Sequence, residues 1–245
     1  MFVDVHSHVV PSGDDGAKTV AEGLVLCREA VARGTNVLFA TPHVWPELTL
    51  TEEREASVRL VHADMALQAS TLGLDLRLGF ELTPSRELLS EDPARYTLGG
   101  LPAVLMELPF SRPLGTAMLL AEAIEAAGLT PVIAHPERSD QVLERPEIVA
   151  ELAARGWLLQ INATSLLGYH GPSRAGVGWS AVEEGFASLV ASDGHRLTRP
   201  PFLDDAYDAV CARVGEEAAR PLFDGSALPR LELAGGDGLH LAQRG

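Results

Sequence analysis

Histidines and carboxylates in this chain recur where short apolar segments end: His6 and His8 in DVHSH, His43 in ATPH, Glu81 in GFEL, Glu107 in LMEL, His135 in IAHP, and Asp193 with His195 in ASDGH. Imidazole and carboxylate without thiolate suit manganese, iron, cobalt or zinc in a hydrolytic centre, and argue against a structural zinc site of the cysteine type. Within the pairs His6/His8 and Asp193/His195 the members are two residues apart. On a strand that spacing turns both to one side, so each pair can hold a metal together. One histidine at a strand end is more often an ordinary structural residue. A convergent set is different, because groups of this kind buried without metal or partners would cost several kcal/mol each. His62, His170 and His240 lack such placement and read as surface or helix-face residues.

The loop PSGDDGAK follows the first histidine pair, and its Asp14-Asp15-Gly16 has ordinary turn chemistry. Beside the pair, a carboxylate from it can reach back to complete a further site with His43 and His195. Its glycines lack the GxxxxGK[ST] spacing of a phosphate-cradling loop. Arg138 in AHPERSD and Arg199 in SDGHRLTRPP closely follow ligand-type residues, where a guanidinium fork can grip the non-bridging oxygens of a phosphate. Trp45, Trp157, Tyr169, Trp179 and Phe202 are candidates to line a pocket for an aromatic leaving group. No GxSxG nucleophile elbow is present, and the CxxxxxR spacing from Cys27 to Arg33 falls inside a helical pattern rather than a loop, so covalent catalysis has no support.

The elements that must position these groups alternate. Strand-like segments are expected at Phe2–His8, Asn36–His43, Leu76–Leu82, Ala103–Leu108, Pro131–His135, Trp157–Asn162 and Ser188–His195, with helical patterns between them. Gly34, Gly73, Gly128 and Gly156 stand where helices end and strands begin. Thr19 and Glu22 form a capping box ahead of Val20, Leu24, Cys27 and Val31, and Thr49 with Glu52 predicts a second box opening a helix through His62. Alternating β and α units imply parallel strands covered by helices, either closed into a barrel or left as a doubly wound sheet. In both, all strand carboxyl ends share one face, which gathers the ligand-type residues into one pocket.

With 245 residues, 46% of them hydrophobic and 22% charged, the chain fits a single domain over residues 1–245 built on a full core. The formal net charge of −15, without a Lys/Arg cluster, argues against nucleic acid as a partner. Two cysteines, Cys27 and Cys211, are too few for a disulfide framework and suit a reducing cytoplasm. The start MFVDVHSH has no basic region or apolar run of the signal-peptide kind, and no window approaches the ~18 apolar residues of a membrane span. Residues 231–245 read as a loose tail.

The segments DVHSHVVPSGDDGAKT, LFATPH, GFEL, LMELPF, PVIAHPERSDQVLERPEIV, LLQINATSLLG and ASDGHRLTRPP together resemble the polymerase-and-histidinol-phosphatase (PHP) superfamily. Within it the chain is similar to the bacterial manganese-dependent tyrosine-protein phosphatases of capsule and exopolysaccharide synthesis. The resemblance implies a distorted (β/α)₇ TIM-like barrel of parallel strands with the metal site at their C-terminal ends. It implies two to three divalent ions, manganese foremost, with iron, cobalt or zinc open. His6, His8, Glu81 and Asp193 would hold the first; Glu81, bridging, with Glu107 and His135 the second; and Asp15, His43 and His195 the third. Arg138 and Arg199 would match the phosphate-contacting arginines, and the implied substrate is the phosphorylated tyrosine-rich tail of an autokinase of polysaccharide export. Val44 departs from the pattern, since many relatives carry a basic residue after TPH. The runner-up is a phosphatase of histidinol phosphate or another small ester; an amidohydrolase-type reaction, or a non-catalytic PHP module, stands further back.

Overall fold

Nine strand segments build the frame in the computed structural model, which describes residues 1–231. They are β1 (Phe2–Ser7), β2 (Thr35–Ala40), β3 (His43–Val44), β4 (Asp75–Leu78), β5 (Glu81–Leu82), β6 (Ala103–Glu107), β7 (Thr130–Ala134), β8 (Leu158–Asn162) and β9 (Leu189–Ala191), and every ladder between them is parallel. The segments β2 and β3 are two lengths of one strand path, as are β4 and β5, so the nine pieces trace the seven strands expected from sequence. The breaks fall at Thr41-Pro42 and Gly79-Phe80 and split the ladder into sheets ordered β1-β2-β4 and β3-β5-β6-β7-β8-β9. Proline removes a ladder donor. At Gly79 the chain presses on Leu98, where an added Cβ would lie 3.1 Å from the Leu98 Cα.

The ring closes between β9 and β1. The Asp193 N–H donates to the His6 carbonyl at 2.9 Å and the His8 N–H to the Gly194 carbonyl at 2.7 Å. Buried in the same seam, the Asp4 carboxylate accepts from the Ser192 N–H at 3.0 Å. A barrel, not an open doubly wound sheet, is therefore the architecture. Its interior holds Val5, Phe39, Leu105, Val132 and Ala191, while Leu38, Met106, Ile133, Ile161 and Val190 face outward into a larger cluster beneath the helices. Alternate residues thus serve two cores, as the strand period of two requires. The β1 register slips against β2 between Asp4 and Ser7. A one-residue slip reverses which face a side chain takes, and after it His6 and His8 turn into the barrel that Val3 and Val5 fill lower down.

The helices are α1 (Val20–Ala32), α2 (Glu52–Ser70), α3 (Gly115–Ala126), α4 (Asp140–Glu144), α5 (Glu147–Ala153), α6 (Ala163–Leu166), α7 (Pro172–Glu183), α8 (Asp204–Val214) and α9 (Glu216–Ala219). Thr19 caps α1 by accepting from the Glu22 N–H at 3.2 Å, and Glu22 reaches back to the Lys18 N–H at 2.8 Å. The second cap differs from the sequence expectation. Thr51, not Thr49, is extended immediately before the first helical residue and accepts from the Arg54 N–H at 3.2 Å. Past His62 the run ADMALQA is, apart from Asp64, made of strong helix formers, and α2 continues to Ser70 before the turn at Gly73. Among the described residues no helix is long and apolar enough to cross a membrane. Of the expected tail only Leu231 lies within the described residues; the rest, with His240, lies outside them.

Candidate metal centre

Every ligand-type residue singled out in the sequence lies at the carboxyl end of a strand path or in the loop after β1. That loop folds back because Gly16 has no side chain: a Cβ there would sit 2.3 Å from the His8 carbonyl oxygen. The fold-back is held by the Ala17 N–H donating to the same carbonyl at 2.9 Å. It delivers Asp15 to the mouth and buries Asp14, whose carboxylate accepts from the His43 N–H at 3.1 Å and lies 3.3 Å from His8 Nδ1. A carboxylate on Nδ1 leaves His8 Nε2 with its lone pair facing the site.

Glu81 is the hub. Its Oε2 is 3.0 Å from His6 Nε2, 3.2 Å from His8 Nε2 and 3.0 Å from His43 Nδ1, and its Oε1 is 3.0 Å from His135 Nε2. Three overlapping sets each bring their donor atoms within 4.8 Å of one another: His6, His8 and Glu81; Glu81, Glu107 and His135; and His8, Asp15, His43 and His195. Asp193 Oδ1 approaches the first set, 3.5 Å from His6 Nε2 and 3.6 Å from His8 Nε2. Its Oδ2 accepts from Arg138 Nη1 at 2.8 Å and from Asn162 Nδ2 at 2.9 Å.

These residues fit a divalent cluster on their own geometry. Glu81 Oε2 and His43 Nδ1 are buried without a hydrogen-bond partner, although Glu81 Oε2 has three ring nitrogens around it. Buried polar atoms left unpaired are costly, and lone pairs aimed at a common point rather than at a proton are what a cation requires. The all-nitrogen-and-oxygen donor set has the same meaning.

The electrostatics show crowding. Burial works to raise the Glu81 carboxyl, but His6, His43 and the His135 bond outweigh it and hold it well below the usual range. Glu107, pushed up to about 8 by burial and then by the Glu81 charge, moves the opposite way. Neighbouring carboxylates that cannot both ionise without a cation behave in this manner. Asp15 is held down to about 2, chiefly by His195, and burial lowers His43 to about 4.

Above the cluster opens a cleft of about 410 Å³, lined among others by Trp45, Phe110, Arg112, Arg138 and Arg199. The Phe110 ring lies parallel to His135 within 10°, at 6.0 Å between centroids, and the Arg138 guanidinium sits 4.8 Å above Phe110. Trp45 packs against His43 at 4.5 Å. Arg199 Nη2 lies 2.7 Å from His195 Nε2 and 3.4 Å from Asp193 Oδ1. Of the five aromatics offered by sequence, only Trp45 lines this cleft. Trp157 is core, Trp179 donates to the Leu166 carbonyl, Phe202 carries Arg33, and Tyr169 is exposed and not among the lining residues.

Sequence reasoning missed Phe110, which stands three residues beyond Glu107, and a buried set behind the ligand-type residues: Glu137, Gln160 and Asn162, together with Asp14, which it read only as part of a turn. A signal existed for the amides, since β8 is the one strand path ending in neither histidine nor carboxylate. There was none for the backbone of His135 (φ 33°) and Asp193 (φ 52°), left-handed conformations rare in non-glycine residues. Such strain persists only where the surroundings over-determine it.

A family model described as "Capsular polysaccharide synthesis, CpsB/CapC" matches residues 2–230. The tyrosine-protein phosphatase YwqE of Bacillus subtilis (strain 168) is 31% identical over 238 residues, covering 93% of this chain and 91% of that protein. Among solved structures, a chain from the work on YwqE of Bacillus subtilis and CpsB of Streptococcus pneumoniae, described as unique metal-dependent tyrosine phosphatases, superposes with a TM-score of 0.80 at 28% identity, covering 90% of each chain. The lactonase Lmo2620 of Listeria monocytogenes shares the fold alone, with a TM-score of 0.61 at 11% identity over 95% of each chain.

Proposed function

The chain belongs to the CpsB/CapC family of capsular polysaccharide synthesis, and on that premise we propose that it is a metal-dependent phosphomonoesterase that hydrolyses phosphotyrosine in proteins. The observation that carries this reading is the convergence of histidine and carboxylate donors on Glu81 beneath a cleft that also presents Arg138 and Arg199. His6, His8, Glu81 and Asp193 hold one ion, Glu81, Glu107 and His135 a second, and Asp15, His43 and His195, with His8 alongside, a third. Manganese is the ion we assign, in two to three equivalents. Divalent cations there supply Lewis acidity to the phosphoryl oxygens and make the attacking water more acidic.

The chain's own residues do the rest. Arg138 and Arg199 grip the phosphoryl oxygens as charge grows on them; Asp193 anchors both arginines from below. Phe110 and Trp45 wall the cleft and suit an aryl leaving group. Neither cysteine lines the cleft, in keeping with direct attack by water rather than by a thiolate. A tyrosine phenolate departs with a conjugate-acid pKa of about 10, so little proton donation is demanded. The substrate we assign is the tyrosine-phosphorylated tail of an autokinase of polysaccharide export, met in the cytoplasm.

The test is a side-by-side comparison of kcat/KM for a phosphotyrosine peptide, a phosphoserine peptide and histidinol phosphate with manganese supplied. The phosphotyrosine peptide is expected to lead, because a phenolate leaves more readily than an alkoxide. Histidinol phosphate ahead by tenfold, about 1.4 kcal/mol in transition-state binding, would overturn the substrate assignment.

A further inference from the structure

Behind the first ligand set runs a line of buried side-chain hydrogen bonds whose direction is fixed from one end. His6 Nδ1 and Gln160 Oε1 are 2.9 Å apart, Gln160 Nε2 and Asn162 Oδ1 2.8 Å, and Asn162 Nδ2 and Asp193 Oδ2 2.9 Å. All four residues are buried. An ionised carboxylate accepts and never donates, so Asn162 must turn its NH₂ to Asp193. Its carbonyl then faces Gln160, which must present its own NH₂ to it. The Gln160 carbonyl is thereby left facing His6 and requires a proton on Nδ1. Each amide is a polar link that passes the choice on.

We propose that Gln160 and Asn162 are positioning residues that carry the polarity of the Asp193 carboxylate to His6, fixing it as the Nδ1–H tautomer with the Nε2 lone pair aimed at the metal centre. The inference rests on the proposed ligand role of His6, and gives a function to the one strand path that ends without a ligand. His8 obtains the same tautomer directly from a carboxylate, Asp14. His6 has no such neighbour on its Nδ1 side, and a second carboxylate at position 160 would face the Asn162 carbonyl and crowd Asp193. Two neutral amides cover the gap without adding charge. The line also ties His6 to the phosphate-gripping side, because the oxygen that orients Asn162 is the one that holds Arg138. The Asn162 backbone is pinned in turn by its N–H donating to Glu137 at 3.0 Å.

The test reads the His6 tautomer directly, by ¹⁵N-imidazole shifts in the metal-free protein at a pH where its imidazoles are neutral. The wild type is expected to show His6 as Nδ1–H. Asn162→Leu, which removes a side chain making no hydrogen bond to His6, frees Gln160 to turn either face and should give a mixture of tautomers. Adding Gln160→Glu to Asn162→Leu should restore Nδ1–H, since a carboxylate accepts whatever its other neighbour is. His6 as Nε2–H in the wild type, or an unchanged single tautomer in Asn162→Leu, overturns the proposal whether or not the protein proves to be a phosphatase. Should Asn162→Leu not fold, Gln160→Met decides: its manganese affinity should fall ~10–100-fold, the usual cost of losing a partner behind a ligand histidine, and affinity equal to the wild type refutes the relay.

Discussion

Replacing Arg138 with alanine removes one of the two arginines assigned to grip the phosphate and leaves every ligand-type residue in place. Arg138 Nη1 donates to Asp193 Oδ2 at 2.8 Å, and its guanidinium lies 4.8 Å over the Phe110 ring. After the change Asp193 keeps the Asn162 amide at 2.9 Å and Arg199 at 3.4 Å, so its carboxylate stays partnered and metal content should hold. Folding stability should drop only by the lost ring contact and one charge-assisted bond, ~1–3 kcal/mol. Catalysis should drop by more. A preorganised donor aimed at charge that develops in the transition state is worth ~10²–10³ in kcat, ~2.7–4 kcal/mol. Arg138→Lys restores the charge but not the planar fork, and is expected to recover about tenfold. The assay is kcat/KM for p-nitrophenyl phosphate at saturating manganese, with metal measured in the same samples. A silent Arg138→Ala would return the residue to an ordinary ion pair, and activity lost in step with metal would make its role structural.

His6→Ala and Glu81→Ala should each lower turnover by more than the ~10–100-fold typical of residues behind a metal ligand, with far-ultraviolet circular dichroism unchanged because both lie above the barrel core. Thr51→Ala should lower stability by ~1 kcal/mol, or ~2–4 °C in Tm, and Thr49→Ala by much less, a direct reading of which threonine caps α2. In the metal-free protein stability should fall as pH rises from 6.5 to 8. Burial holds Glu107 up to about 8 and Glu137 up to about 7, and His6 and His8 are raised too, Glu81 and Asp193 outweighing burial at His6 and Asp14, Asp193 and Glu81 at His8. Across that window the unfolded chain holds fewer of these protons than the folded one, its carboxyls already ionised and its imidazoles half or more deprotonated, so deprotonation costs stability. His43, lowered to about 4 by burial, and His62, His135, His170 and His195, lowered likewise, oppose that slope near 6.5, where unfolded imidazoles are still losing their protons, and no longer do so by 8. Thermal melts across the range should show the decline, flattened in Glu107→Gln; a flat wild-type profile would refute it.

The strand rhythm and the ligand types were legible because each rests on local pattern: alternation along a strand, and a polar residue where an apolar run stops. Barrel closure was legible only through the family resemblance and not in the rhythm of elements, because it depends on the Asp193-to-His6 and His8-to-Gly194 backbone bonds between two distant parts of the chain. Nor was the inward turn of His6 and His8, which follows from a register slip that no side-chain pattern announces. Cap position failed at Thr49 because Thr49 and Thr51 look alike until the backbone shows which one immediately precedes helical dihedrals. Aromatics were over-read for the same reason: Trp157 and Phe110 are equally plausible in a string of letters, but one lies in the core and the other stacks on His135. The buried amides Gln160 and Asn162 escaped attention because they are not ligand types, and their meaning appears only when their partners are known.

The central claim is that the donors gathered on Glu81 hold divalent ions on which phosphoester hydrolysis depends. Elemental analysis of the purified protein, joined to p-nitrophenyl phosphate turnover as manganese is removed by chelation and restored by titration, tests it most directly. Two to three equivalents per chain are expected, with turnover lost and regained as they leave and return. Less than one equivalent after gentle purification and supplementation, or full turnover in the stripped protein, would contradict it.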